Sequence, residues 1–178
     1  TDDPELNTTQ VKLDQHGFID IDDHCRSDDK RIFAIGDASG QPMLAHRAIR
    51  QGIVAAEVIS GKKSSFDNRA IPAVVFTQPE IAWVGLTDTE AKAKGIEVGS
   101  AKFPWSASGR AHTLADPSGQ TKILYDPATT RVLGVGLVGP RAGELVSEAA
   151  LAIEMGAVLE DLAVTIHTHP TLSETINE

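Results

Sequence analysis

Two histidines and a glutamate stand close together near the end of the sequence, in the stretch HTHPTLSE (167–174). The H-x-H spacing of His167 and His169, with Glu174 as a third ligand, is one that could hold a metal ion. Alternatively, Pro170 begins a helix and Glu174 holds one ring nitrogen of His169, which leaves the other nitrogen to act as a base near neutral pH. A third interpretation leaves both histidines on the surface beside a helix start. The residues alone do not decide among the three.

A second stretch, GVGLVG (134–139), has the glycine spacing of a dinucleotide-binding turn and is followed by Pro140 and, further on, by the acidic Glu154. That motif needs a strand, a turn, a helix and then a parallel strand. Here the short turn DPATT joins the glycine-rich segment to the strand before it, which favours an antiparallel hairpin. We therefore expect a sheet strand whose glycines let another backbone or a helix approach closely.

A third stretch, RIFAIGD, predicts a short apolar strand that ends at Gly36 and is followed by a loop and a helix. In open α/β sheets the carboxyl ends of strands face the ligand crevice, where Asp37 could accept hydrogen bonds from ligand hydroxyls. The N–H groups at the start of the next helix could donate to an anion or a carbonyl oxygen. Asp37 could equally do no more than cap the turn.

The composition is that of an ordinary soluble globular protein, with 41% hydrophobic and 23% charged residues. A net charge of −9 argues against nucleic acid or an anionic membrane as a partner. We find no apolar run of membrane-spanning length and no signal peptide, so we expect a cytoplasmic protein. The single cysteine, Cys25, stands among acidic residues that disfavour a thiolate, and we expect it to be inert.

Hydrophobic periodicity predicts the elements that must position these residues. A hairpin turns near His16 and Gly17, and an amphipathic helix spans 45–61. The apolar stripe of that helix repeats at helical spacing: Ala48, Ile49, Gly52, Ile53, Ala56 and Ile59. The polar stretch KKSSFDNRA (62–70) then looks like a domain boundary.

Beyond this boundary the pattern changes to short strands between helices. Two strands are interrupted at Gln78–Pro79, and a short helix between Thr87 and Gly95 carries the capping box of Thr87 and Glu90. A strand and a hairpin follow, then a long helix that ends at Gly156, and Pro170 is expected to begin a last one. This order predicts an α+β fold with an antiparallel sheet and helices on one side.

Several of these stretches together resemble one family of enzymes. IFAIGD, PMLAH and AAEVI resemble the second flavin-binding segment of the pyridine nucleotide–disulfide oxidoreductases. PEIAWVGLTDTEAKAKG, FPWSASGRA, GPRAGELVSE and HTHPTLSE resemble the interface domain of the dihydrolipoamide dehydrogenases within that family. The resemblance implies that residues 1–68 are the last part of an α/β FAD-binding domain and that residues 69–178 are an α+β dimerisation domain.

The resemblance also implies a redox flavoprotein that uses FAD and NAD. Asp37 would bind the ribityl chain of FAD, and four residues would line the flavin: Met43, Leu44, Ala45 and His46. His169 would be the general base that deprotonates dihydrolipoamide, and Glu174 would orient it, reaching across a homodimer into the partner's active site. The His169–Pro170 bond would be cis. The parent enzyme would serve a 2-oxo acid dehydrogenase complex, and no metal site is expected.

Three features of that family are missing from the sequence: the flavin phosphate loop, the redox pair of cysteines and the NAD domain. Cys25 stands in the wrong place to be either redox cysteine. We therefore expect a C-terminal fragment that is inactive by itself. A non-catalytic dimerisation module and a metal hydrolase that uses His167, His169 and Glu174 are the alternatives.

Overall fold

The computed structural model describes residues 5–178. Its contacts divide the chain into a first unit that ends at Asn68 and a second unit, Arg69–Glu178. None of the helices formed by residues 5–178 is long and apolar enough to cross a membrane.

Extended segments of the first unit pair only at single positions. The predicted hairpin turns at Gly17, with a φ of +82°, and its arms are joined by a bridge between Leu13 and Ile19. The strand expected in RIFAIGD is reduced to one bridge, between Phe33 and Arg26, and Gly36–Ser39 form a 3-10 turn. Because a two-stranded hairpin is barely stable by itself, these segments do not extend into strands within residues 5–68.

Helix α1, Ala45–Ile59, confirms the predicted helix, and Gly61 adopts the left-handed conformation after its end. Its buried face differs from the apolar stripe read in the sequence. Ile49, Ile53 and Ile59 of that stripe are exposed. The buried residues are instead Arg47, Gln51, Val54 and Ala55, because the two polar side chains bond the loop before the helix and Val54 and Ala55 pack with Cys25.

The second unit contains one five-stranded antiparallel sheet, which confirms the α+β prediction. Its strands are β1 (Ala73–Val75), β2 (Ile81–Gly85), β3 (Gly99–Pro104), β4 (Gln120–Tyr125) and β5 (Val132–Val138), in the order β1-β2-β5-β4-β3. The helices of this unit are α2 (Asp88–Lys94), α3 (Gly109–Thr113), α4 (Ala142–Met155), α5 (Leu159–Val164) and α6 (Glu174–Asn177).

The structure confirms the helix caps that were predicted from neighbouring residues in the sequence. Thr87 and Glu90 form the capping box at the start of α2, and Gly95 and Gly156 end α2 and α4 in the left-handed conformation. The last helix, however, begins at Glu174 and not at Pro170. In the segment before it, the Thr171 N–H donates to the Glu174 side chain.

Trp105 lies at the centre of the second unit and is fully buried. It explains one glycine of GVGLVG, since a Cβ on Gly139, whose φ is +147°, would overlap its ring. Gly134 is required by a close backbone, because a Cβ there would overlap the carbonyl of Leu86. Gly136 has no such neighbour. The prediction of a sheet strand with close approaches is confirmed at two of the three glycines.

The buried carboxylate of Asp29 predicts a pH-dependent contribution to the stability of the first unit. Arg31 donates to both its oxygens, at 3.1 and 3.0 Å, and these bonds lower the Asp29 pKa from 3.8 to about 2. A depressed pKa stabilises the folded state above the unfolded-state value and ceases to do so as the pH falls through about 2. Asp29→Asn should therefore lower the free energy of unfolding at pH 7 and have progressively less effect from about pH 4 downwards.

Urea unfolding followed by NMR signals of the first unit measures this difference, and Asp28→Asn is the matched control. Asp28 pairs with Lys12 at 3.0 Å, but both side chains are exposed, so its removal should cost no more than about 1 kcal/mol. Equal losses for the two variants at pH 7 would contradict the assignment.

Candidate functional site

His169 and Glu174 form a hydrogen-bonded pair between α5 and α6. The Nδ1–H of His169 donates to Oε1 of Glu174 at 2.8 Å, and the backbone N–H of Thr171 donates to Oε2 at 2.7 Å. The imidazole is largely exposed (79%), whereas the carboxylate is mostly covered (18% exposed). The arrangement turns one ring nitrogen towards a carboxylate and leaves the ring open to solvent.

Glu174 is held in its ionised form. The Thr171 N–H first, and the His169 ring second, lower the pKa of Glu174 below its ordinary 4.5. An ionised carboxylate only accepts hydrogen bonds, so Nδ1 of His169 must carry its proton. A neutral His169 ring then has its lone pair on Nε2, where it can accept a proton from a substrate.

A chain of buried hydrogen bonds fixes the helix that carries Glu174. The indole N–H of Trp105 donates to the Thr121 hydroxyl at 2.9 Å, and Thr121 donates to Thr175 at the same distance. The Thr175 hydroxyl ends the chain on the carbonyl of Leu172, at 2.8 Å. The sheet thus sets the position of α6 through the residue next to Glu174.

The two histidines of the H-x-H pair bond different carboxylates. His167 bonds Glu148 of α4 at 2.6 Å, and His169 bonds Glu174. Among residues 5–178 no three His, Cys, Asp or Glu side chains converge in a way that could hold a metal ion. The metal interpretation of this stretch, and the hydrolase built on it, therefore lack a ligand set.

Asp37 lies in the 3-10 turn before α1, with its side chain exposed. The buried Arg47 holds this turn by donating to the carbonyl oxygens of Gly36 and Gly40, at 3.2 and 2.7 Å. Gln51 accepts the backbone N–H of Gly36 at 2.7 Å. Two side chains of α1 thus fix the loop that presents the Asp37 carboxylate.

The other four predicted cofactor residues stand together at the amino end of α1. Leu44 is the N-cap residue, Ala45 and His46 open the helix, and Met43 precedes them with 46% of its surface exposed. No side-chain hydrogen bond caps the helix at Leu44, and the first N–H groups of α1 carry the positive end of its dipole. The five predicted residues are therefore brought to one edge of the first unit.

Sequence reasoning missed the residues that hold these groups in place. Arg47 and Gln51 stand on the polar side of the predicted helix, although they are buried. Thr121 and Thr175 are far apart in sequence, as are Glu148 and His167. The alternation of β4 is the only local signal, since it turns Thr121 towards the core with Ile123.

Two sequence models of one protein family match this chain. The sequence model described as "Pyridine nucleotide-disulphide oxidoreductase, dimerisation domain" matches residues 71–178, and "Pyridine nucleotide-disulphide oxidoreductase" matches residues 1–52. The chain belongs to the pyridine nucleotide-disulphide oxidoreductase family. Enzymes of this family use FAD and a pyridine nucleotide.

Curated relatives are dihydrolipoyl dehydrogenases. The chain is 53% identical to the one from Vibrio cholerae over 166 residues, which cover 93% of this chain and 35% of the relative. It is 48% identical to dihydrolipoyl dehydrogenase 2 of Haloarcula marismortui over 178 residues, or 38% of that protein. The chain therefore spans a little over a third of these relatives.

Solved structures of flavoprotein reductases share the fold. LpdA from Mycobacterium tuberculosis is 30% identical and superposes with a TM-score of 0.88, covering 97% of this chain and 38% of that one. RclA, a flavoprotein disulfide reductase from Escherichia coli, is 25% identical with the same TM-score, covering 97% of this chain and 40% of that one.

The two hydrogen bonds to Glu174 predict how its carboxyl titrates. It should titrate below 4.5 in the unchanged chain, and His169→Ala should raise its pKa only part of the way back. The reason is that the Thr171 N–H bond, the larger cause, survives the substitution. The ¹³C shift of the Glu174 carboxyl followed against pH measures both values. Full return to the ordinary value in His169→Ala would contradict the role given to Thr171.

Proposed function

We propose that this chain forms the catalytic-base and dimerisation part of a dihydrolipoyl dehydrogenase, which reoxidises dihydrolipoamide with NAD. Residues 1–68 are then the last part of its FAD-binding domain and residues 69–178 its interface domain. The observation that carries the proposal is the His169–Glu174 pair, with an ionised carboxylate behind an exposed ring. The similarity to dihydrolipoyl dehydrogenases supports the choice of substrate.

His169 is the general base in this proposal. Its Nε2 takes the proton from a thiol of dihydrolipoamide, and Glu174 stabilises the imidazolium that results. The thiolate then attacks a disulfide that this chain cannot supply, because its only cysteine is Cys25. Burial raises the pKa of the Cys25 thiol, which supports the expectation that it is inert.

The loop of Asp37 and the amino end of α1 fit one side of an FAD site. An exposed carboxylate on a fixed loop suits the ribityl hydroxyls, and the open helix end suits the carbonyl oxygens of the flavin. Met43, Leu44, Ala45 and His46 line that end. When bound, FAD would carry the electron pair between the dithiol and NAD.

An exposed apolar patch supports the homodimer. Leu151 and Met155 stand one turn apart on α4, and Val164 and Ile166 lie at and just after the end of α5, all between 63% and 97% exposed. Such a patch on a soluble protein is typical of an interaction surface. Ile166 precedes His169 by three residues, so a second copy seated on Ile166 would lie close to the base. Assembly with a 2-oxo acid dehydrogenase complex, and a cytoplasmic location, belong to the same proposal.

A chimera tests the catalytic proposal most directly. This chain replaces the matching 166 residues of the Vibrio cholerae dihydrolipoyl dehydrogenase, and NAD reduction by dihydrolipoamide is measured. His169→Gln should lower kcat by about 10²- to 10⁴-fold, the usual contribution of a general base, with flavin absorbance unchanged. His112→Gln, another exposed histidine of the second unit, is the control.

The chain by itself should show no such activity. A chimera that binds flavin and works equally well with His169→Gln would refute the base, and the non-catalytic dimerisation module would then remain.

Ile166 should be decisive for dimer formation, because it is 97% exposed within the apolar patch. Ile166→Asp places a charge where a second copy would bury it and should convert the dimer to a monomer in sedimentation equilibrium. Leu13→Asp, an exposed apolar position in the first unit, should leave the dimer intact. A dimer that persists in Ile166→Asp would show that the patch is not the interface.

A further inference from the structure

One inward-facing side chain stands out in the segment that leads to His169. Of residues 163–170, all are exposed except His167. Only 6% of its side chain is accessible, although its neighbour Ile166 is almost fully exposed. The nearest buried residues on either side are Leu162 and Leu172. His167 is therefore the one side chain of residues 163–170 that is buried in the second unit.

Both ring nitrogens of His167 face oxygen acceptors. Nδ1 lies 2.9 Å from the carbonyl oxygen of Thr165, which can only accept, so Nδ1 carries a proton. Nε2 lies 2.6 Å from Oε1 of Glu148, with one further proton between the two atoms. Such a charge-assisted bond is short and strong, and here it is mostly shielded from water.

We propose that His167 and Glu148 are a positioning pair that sets the place of the base His169. The pair fixes the backbone two residues before His169 onto α4, while Thr175 fixes the backbone after it onto the sheet. Neither His167 nor Glu148 touches the substrate. This inference rests on the proposed function, because it assigns to the same site the residues that aim its base.

Few other interactions hold residues 165–173, which is why the bond between His167 and Glu148 matters. Residues 165–173 form neither helix nor strand, so no ladder of backbone hydrogen bonds restrains them. The imidazole of His169 contributes one bond, to Glu174, and is otherwise exposed. Without His167, the order of residues 166–169 would depend on the His169–Glu174 bond and on a local bond from the Thr171 hydroxyl to the carbonyl of Thr168. A base displaced by about 1 Å can lose about 10²-fold in rate.

Two measurements test the pair. In the chain itself, ¹⁵N relaxation reports backbone order at residues 166–169, with order parameters of about 0.85 when rigid and below about 0.6 when flexible. His167→Ala and Glu148→Ala should each lower these values while residues 174–176 keep theirs. In the chimera described above, the same variants should lower kcat by about tenfold or more, with a much smaller change in the KM for dihydrolipoamide.

Three further variants separate positioning from general damage. His167→Gln keeps an N–H near the place of Nε2 and should restore most of the order and of kcat. The double variant Glu148→Ala, His167→Ala should lose no more than His167→Ala alone, because that substitution already removes the bond to Glu148. Glu160→Ala, an exposed carboxylate on α5, should behave as the unchanged chain.

The outcomes distinguish the two proposals. Full kcat and unchanged order in His167→Ala and Glu148→Ala, while His169→Gln is inactive, would overturn the positioning pair alone. Losses in the double variant that equal the sum of the single losses would overturn it as well. An active His169→Gln chimera would overturn the proposed base, whatever the order parameters show.

Discussion

The buried bond between the Trp105 indole and Thr121 is the constraint on which the second unit depends. This bond joins the buried indole to strand β4, where Thr121 lies. The Thr121 hydroxyl in turn donates to Thr175 of α6. Each hydroxyl in the chain both donates and accepts, so no buried polar group is left unpaired along it. Removing one member would leave a neighbour unsatisfied, at a cost of about 1–3 kcal/mol.

The positions of His169 and Glu174 are set by the hydrogen bonds that hold the surrounding elements. Glu174 is fixed in place because its neighbour Thr175 is bonded to the sheet. The Thr171 N–H orients the Glu174 carboxylate. His169 meets that carboxylate from a segment that is otherwise exposed. The first unit uses the same device, because buried Arg47 and Gln51 hold an exposed loop that carries Asp37. In both units buried polar side chains support a segment that carries an exposed ionisable one.

Local signals in the sequence were sufficient for several caps, turns and helix ends of the second unit. The capping box of α2, the hairpin of β4 and β5, and the glycine ends of α2 and α4 depend on neighbours within a few residues, and the structure has them as expected. Glu174 was also within reach, because its partner His169 is five residues away. The family resemblance added the roles of these residues only as expectations, and the family itself is confirmed.

The features that could not be predicted depend on residues that are far apart in the sequence. The buried face of α1 was misread because a stripe of isoleucines looks like a core face, whereas Arg47 and Gln51 are buried by bonds to a loop. The helix expected at Pro170 begins at Glu174, and side-chain bonds of Glu174 and Thr175 hold the segment before it. Pairs such as Glu148 with His167 carry no spacing signal.

Glu174 accepts a hydrogen bond from Nδ1 of His169 and so leaves the lone pair of the neutral ring on Nε2. The ring ¹⁵N shifts of His169, measured in the unchanged chain above the pH at which the ring loses its charge, test this arrangement. We predict that the neutral ring is protonated at Nδ1 and that Nε2 has the shift of an unprotonated nitrogen. A ring protonated mainly at Nε2 would contradict it, because Glu174 would then not set the tautomer and His169 would present no lone pair to a substrate.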